Sequence, residues 1–127
     1  MTQEKKPSGR LKELFRAKKL LQKYFENKPV SFTSLRLDLS GKTLFETKVL
    51  KALSRVRSGE RQSYGNLAQK VNAPKAARAV GTVMRKNRLP IILPCHRVVR
   101  SGGDLGRYSG GPGWKKRLLA IEDTKTA

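Results

Sequence analysis

Two short amphipathic segments between Ser63 and Arg85 are separated by Asn72-Ala73-Pro74, and that spacing narrows the fold more than any other feature of the 127-residue chain. Ser63 can cap a helix whose inner face is Tyr64, Leu67, Ala68 and Val71. Proline is tolerated in a first helical turn, so Pro74 predicts a second helix beginning there, with Ala77, Val80 and Met84 as its apolar stripe. Lys75, Arg78, Thr82 and Arg85 then recur at intervals of three and four on the opposite, exposed side. Ala76, Ala79 and Gly81 keep that helix slim enough to approach a groove closely. Two helices joined in this way read as a helix-turn-helix, whose second helix enters a nucleic-acid groove.

A basic stripe on one helix is usually no more than a solvated face; here the charge of the chain favours contact. Its 29 lysines and arginines stand against 9 acids, a formal net charge of +20. Such a surplus steers a protein to phosphates largely without sequence preference. The ion-pair networks of heat-adapted proteins need both signs, and acids are scarce. No long amphipathic helix with exposed aromatic anchors points to a membrane surface. DNA or RNA is the expected partner, bound by a monomer.

Length fits one domain with a modest core. The chain opens on Glu4, Lys5 and Lys6 instead of an apolar signal-peptide core, and no apolar run approaches the roughly 20 residues of a membrane span. A solitary cysteine cannot form an intramolecular disulfide. A soluble protein with a reduced thiol, cytoplasmic or in the nucleoid or nucleus and without a secretion signal, is therefore expected.

Residues 1–40 read as a basic N-terminal helix and a connecting segment. Leu11, Leu14, Phe15, Leu21 and Phe25 follow a helical period that ends near Asn27 and Pro29, and Val30, Phe32, Leu35, Leu37 and Leu39 suggest an extended connection. Residues 41–127 carry the rest. Phe45, Val49, Ala52, Leu53 and Val56 make a half-buried helix closed by the turn Arg57-Ser58-Gly59-Glu60. Arg100 to Gly113 is loop, holding six of the eleven glycines. Trp114, Leu118 and Ile121 predict the buried stripe of a last helix, with Glu122 at its apolar edge, where an acid needs a partner. The expected fold is mostly α, a winged helix-turn-helix-like DNA-binding domain with short β elements, preceded by an N-terminal helix.

The only cysteine and the only histidine are adjacent, in Leu93-Pro94-Cys95-His96-Arg97-Val98-Val99. A lone cysteine is as often a small buried hydrophobe as a reagent. If Cys95 is a nucleophile it needs a base, because a free thiol is mostly protonated at neutral pH. His96 is the only imidazole, but neighbours on an extended strand point to opposite faces, so a turn or an intervening water is required. Glu122 could orient the imidazole, giving a relay of cysteine, water, histidine and glutamate.

Pro94-Cys95-His96-Arg97-Val98 resembles the active-site signature of the O6-alkylguanine-DNA alkyltransferases. Gly59-Glu60, Ser63-Tyr64, Leu67-Ala68, Pro74 through Gly81, Met84, Asn87, Tyr108-Ser109-Gly110-Gly111, Leu118-Leu119 and Glu122 extend the resemblance, in order, over residues 40–123. It implies a single-turnover repair protein that flips a damaged guanine from double-stranded DNA and transfers the O6-alkyl group to its own cysteine. Cys95 would be the acceptor, His96 the base acting through a water, and Glu122 its polarising partner. Arg78 matches the finger that fills the gap left by the flipped base, with Ala77, Lys75, Thr82 and Arg85 beside it on a helix that such proteins lay in the minor groove. Tyr64 matches the residue that rotates the nucleotide and donates to the base, and Asn87 the hinge after the recognition helix. The resemblance puts Val98, Tyr108, Ser109 and Met84 around the base, the Cys95 and Val98 carbonyls accepting from its amine and the Ser109 amide facing O6. No cofactor is expected and no metal, since one cysteine and one histidine cannot build a structural zinc site alone.

The chain departs from the family in two places. Residues 1–40 are too few for the usual amino-terminal domain and resemble only a remnant of it, and Arg88 follows Asn87 where proline is common. A non-catalytic binder of alkylated bases shares the architecture, but relatives of that kind lack the acceptor cysteine. An alkylation-responsive helix-turn-helix regulator would need sequence-specific base contacts, which the alanine-rich helix scarcely offers. A cysteine hydrolase would need an acyl pocket that no motif supplies.

Overall fold

The computed structural model describes residues 9–102 and 113–126. Its helices are α1 (Gly9–Phe25), α2 (Leu44–Ser54), α3 (Tyr64–Lys70), α4 (Ala77–Arg85) and α5 (Trp114–Thr126), and its strands are β1 (Gln62–Ser63) and β2 (Val98–Val99). The strands pair in parallel, Gln62 with Val98 and Ser63 with Val99. This short ladder joins the approach to α3 with the chain just beyond Cys95. The mostly helical fold with short β elements is as the sequence predicts.

Local chemistry sets the boundaries. Thr43 and Glu46 form a capping box: the Thr43 hydroxyl accepts from the Glu46 amide at 3.1 Å, and the Glu46 carboxylate accepts from the Thr43 amide at 2.9 Å. Those bonds hold the Glu46 carboxyl below its ordinary pKa. Ser63 caps α3 through the Asn66 amide at 3.0 Å. Asn72 takes the left-handed φ of +60° that turns the chain from α3 toward α4, a conformation asparagine tolerates better than most residues.

α2, α3 and α4 pack on one another. Their core is Val49, Leu50 and Leu53 from α2, Leu67 and Ala68 from α3, and Val80, Val83 and Met84 from α4, closed by Val56, Leu93, Cys95 and Val98. The thiol is thus set in the wall of the core.

Three expectations are corrected. α4 begins at Ala77, not at the proline: Pro74 and Lys75 form a turn, and Ala76 supplies no side-chain cap. Lys75 accordingly stands in the turn before the helix instead of on its face. Trp114 is 44% exposed, with the Arg117 guanidinium over its ring at 5.5 Å. The buried stripe of α5 is Lys115, Leu118, Leu119 and Glu122, and Ile121 is half-buried. On α1, Leu11, Leu14, Phe15 and Phe25 are exposed while Tyr24 is buried. At about 100° per residue those four share one side, and Tyr24 stands on another. The apolar arc of α1 is wider than the line along which it packs.

Candidate active site

The segment from α4 to β2 is built to present Cys95. Asn87 spans its turn: Nδ2 donates to the Leu93 carbonyl at 2.8 Å, and Oδ1 accepts from the Leu89 amide at 2.9 Å. The Leu93 amide donates to the Leu89 carbonyl at 2.8 Å, and the Cys95 amide to the Leu93 carbonyl at 2.7 Å. Within this turn Ile91 has a φ of +76°. A β-branched residue rarely adopts that region, which costs on the order of 1–3 kcal/mol. Cys95–Arg97 then form one turn of 3-10 helix, so the thiol and imidazole leave a turn and not an extended strand.

Cys95 lines a cleft of about 560 Å³ with Tyr64, Ala77, Arg78, Gly81, Met84 and Arg85, and Arg100 and Ser101 complete its rim. Arg78, Gly81 and Arg85 of the basic helix and the thiol therefore share one opening, whereas Lys75, Ala76, Ala79 and Thr82 do not line it. A larger cleft, about 1330 Å³, runs between α1, the connection around Leu37 and the segment after α4. It holds none of Cys95, His96 and Glu122, so the chemistry favours the smaller one. On α4, Arg78 is exposed, the Thr82 hydroxyl donates to the Arg78 carbonyl at 3.3 Å, and Arg85 donates to the Thr82 hydroxyl at 3.0 Å. Val98, the first residue of β2, is fully buried. Tyr108 and Ser109 lie outside the described residues.

Behind the thiol, His96 and Glu122 are fully buried and 2.6 Å apart, Nε2 to Oε2. Arg97, 7% exposed, forks over the same carboxylate, with Nε on Oε1 and Nη2 on Oε2, each at 2.9 Å, and donates through Nη1 to the Val56 carbonyl. Burial alone would raise the Glu122 pKa, but the hydrogen bonds from His96 and Arg97 lower it to about 2. An ionised carboxylate only accepts, which assigns the proton to His96 Nε2 and leaves Nδ1 as the basic nitrogen. Burial lowers the His96 pKa against the pull of Glu122, so the pair is a neutral imidazole on a carboxylate at neutral pH.

Burial raises the Cys95 pKa, opposed by the Asn87 side chain and by the Lys115 ammonium. Lys115 is 4% exposed; its Nζ donates to the Val98 carbonyl at 2.6 Å and stands 5.9 Å from the Tyr64 ring centroid. The Tyr64 hydroxyl is also shifted up, first by burial and then by charge at Cys95, while Arg100 and Arg85 oppose it. Such a thiol is predominantly protonated at neutral pH, and a nucleophilic attack by it must be coupled to proton removal.

Of the residues singled out in the sequence, the structure places Cys95, Tyr64 and Met84 with α4 around one cleft, His96 against Glu122 behind it, and Asn87 across the turn that leads to Cys95. Sequence reasoning misses Arg97, Lys115 and Tyr24, whose hydroxyl donates to Glu122 Oε2 at 2.7 Å. Positions 115, 118, 119 and 122 do share a helical face, and that period is the signal that places Lys115 inside.

A model of the family described as 6-O-methylguanine DNA methyltransferase, DNA binding domain, matches residues 44–124. The methylated-DNA–protein-cysteine methyltransferase of Mycobacterium tuberculosis is 43% identical over 105 residues, 83% of this chain and 62% of that protein. The protein of the same name from Mus musculus is 54% identical over 84 residues, 65% of this chain and 40% of that protein. The crystal structure of Mycobacterium tuberculosis OGT in complex with DNA aligns with a TM-score of 0.80 at 42% identity, covering 86% of this chain and 65% of that one. The chain thus spans less than two thirds of the length of these relatives.

Proposed function

The chain belongs to the 6-O-methylguanine DNA methyltransferase family through its DNA-binding domain, and on that premise we propose that it repairs alkylated DNA by transferring the alkyl group of O6-alkylguanine to Cys95. The observation that carries this reading is the position of the thiol. Cys95 opens into the cleft lined by the basic helix α4 while the adjacent His96 is backed by an ionised Glu122.

In the proposed reaction, α4 lies in the minor groove of double-stranded DNA, Arg78 occupies the space of the flipped guanine, and the base enters the cleft beside Tyr64 and Met84. His96 Nδ1 takes the thiol proton through a bridging water, and the Cys95 sulfur attacks the alkyl carbon in line. The carbon–O6 bond breaks as the carbon–sulfur bond forms. The electron pair leaves on guanine, whose anion the Tyr64 hydroxyl stabilises by donating to it. Glu122 steadies the transient imidazolium without taking its proton. Asn87 holds the turn that presents the sulfur, and Lys115 and Arg97 fix the walls around it. Tyr108 and Ser109, with the Val98 carbonyl, belong to the base pocket in this reading. A thioether has no route back to a thiol here, so each monomer acts once. The lone cysteine suits the reducing cytoplasm, nucleoid or nucleus.

Incubation with a duplex containing O6-methylguanine and measurement of intact mass tests this directly. The expected result is a gain of one methyl group, located on Cys95 by peptide mapping and absent in Cys95→Ser. Binding of the duplex with no mass change overturns transfer.

A further inference from the structure

The carboxylate of Glu122 is held from the far end of the chain as well as from its own surroundings. Tyr24 on α1 is 1% exposed, and its hydroxyl donates to Oε2, the oxygen that also accepts from His96 and from Arg97 Nη2. The aromatic ring is steadied by Phe25, edge-on at 5.2 Å between centroids, and by Phe32 at 6.2 Å. A separate bond, from the Thr124 hydroxyl to Asn27 Oδ1 at 3.2 Å, ties the end of α1 to α5. The docking of α1 therefore does not depend on the Tyr24 hydroxyl by itself.

The groups on Glu122 in these bonds are donors, and their number has a consequence for His96. A carboxylate surrounded by donors stays ionised, but the charge each donor feels is diluted by the others. Among the described residues, the other charged groups that act on the imidazole are Arg97 from the 3-10 turn and Lys115 from α5; the Cys95 thiol is its neighbour in the chain, and Asp123 is turned toward Arg61 at 3.2 Å. Arg97 and Lys115 both disfavour a charged imidazole. Glu122 is the group that favours it, so its share of charge governs whether His96 is free to accept a proton.

We propose that Tyr24 is a positioning residue for the transfer site: its hydroxyl pins Glu122 Oε2 against His96 and, by sharing that oxygen's charge, keeps His96 neutral and able to take the Cys95 proton. The inference rests on the reading of His96 as the base. It makes the N-terminal helix part of the relay, although α1 lies outside the residues matched by the family model.

His96 is the only histidine, so its ring resonances can be titrated by NMR without ambiguity. Tyr24→Phe keeps the ring and removes the donor. The His96 midpoint is expected to rise by about 1 pH unit, a tenfold gain in proton affinity. The acid limb of the pH profile for Cys95 alkylation by iodoacetamide should move up by the same amount. In a Glu122→Gln background the same substitution should leave the midpoint where it is. An unchanged midpoint in Tyr24→Phe, or an equal shift in the Glu122→Gln background, overturns the proposal. A merely structural role for Tyr24 would lower Tm and move neither titration. Should Tyr24→Phe fail to fold, 3-fluorotyrosine at position 24, a stronger donor, must lower the midpoint; a rise or no change overturns the inference. None of these titrations requires alkyl transfer, so a wild-type protein that gains no methyl group from DNA would sink the proposed function alone.

Discussion

At the scale of single residues the site depends on a buried anion that cannot be left alone. Glu122 has no exposed side-chain surface, and the Arg97 fork supplies both a counter-charge and correctly aimed donors. Removing one partner of such a pair costs about 3–5 kcal/mol, because the remaining charge stays buried and unpaired. Arg97→Met is therefore expected to destabilise the fold by about 3 kcal/mol in denaturant titrations and by roughly 10 °C in Tm, on a scaling of about 4 °C per kcal/mol, where the ranges for smaller and larger domains meet. Arg97→Lys restores the charge but cannot reproduce the planar fork, so it should fall between the two. A loss below 1 kcal/mol for Arg97→Met would show that Glu122 does not need its guanidinium. Arg97 escaped the sequence reading because it reads there only as one letter of a motif. Tyr24 escaped it for a different reason: it meets Glu122 across 98 residues of chain, and no local period encodes such a contact.

At the scale of elements, the helix-turn-helix was legible because each of its parts has a local cause. Ser63 caps, Asn72 turns, and Leu67, Ala68, Val80 and Met84 repeat with the helical period. The start of α4 was not legible, since a proline can stand either inside a first turn or in the turn before it. The face of α5 was misread because side-chain transfer energies put tryptophan inside and lysine outside. The Val98 carbonyl and the Tyr64 ring reverse that preference for Lys115. α4 also offers a test in which stability and activity should part. A Cβ built on Gly81 meets Arg85 Nη1 at 3.8 Å and the Tyr64 ring at 3.9 Å, ordinary contact distances, and the glycine sits inside a helix. Gly81→Ala is thus expected to stabilise by about 0.5–1 kcal/mol through helix propensity. The same methyl narrows the cleft beside Tyr64, so alkyl transfer should slow. A lower Tm would mean that the contact is not benign, and an unchanged transfer rate would mean that the base does not enter between Tyr64 and α4.

For the whole molecule, the same buried groups set a pH window of stability. His96 is held below its ordinary 6.5, so as pH falls through that value the unfolded chain binds a proton that the folded one refuses, and stability drops. Glu122 is lowered from its ordinary 4.5 to about 2, which is worth about 3 kcal/mol at neutral pH. That contribution is complete above 4.5 and is lost as pH falls toward 2. Protonating the carboxylates also leaves 29 lysines and arginines unopposed, and their mutual repulsion adds to the acid limb. On the alkaline side, the raised Cys95 pKa means that the unfolded chain loses its thiol proton first, so stability declines above the ordinary 9.0. Denaturant titrations across pH should give a plateau between about 6.5 and 9 with a fall on either side. Glu122→Gln, weaker than wild type at pH 7, lacks the titrating carboxylate. Its stability curve should therefore run parallel to the wild-type curve from about pH 9 down to 6.5, below which His96 also titrates differently once its carboxylate is gone, and should approach the wild-type curve between 4.5 and 2. Curves that stay parallel between 4.5 and 2 would place the acid limb in the general repulsion of the +20 chain and remove Glu122 as its cause.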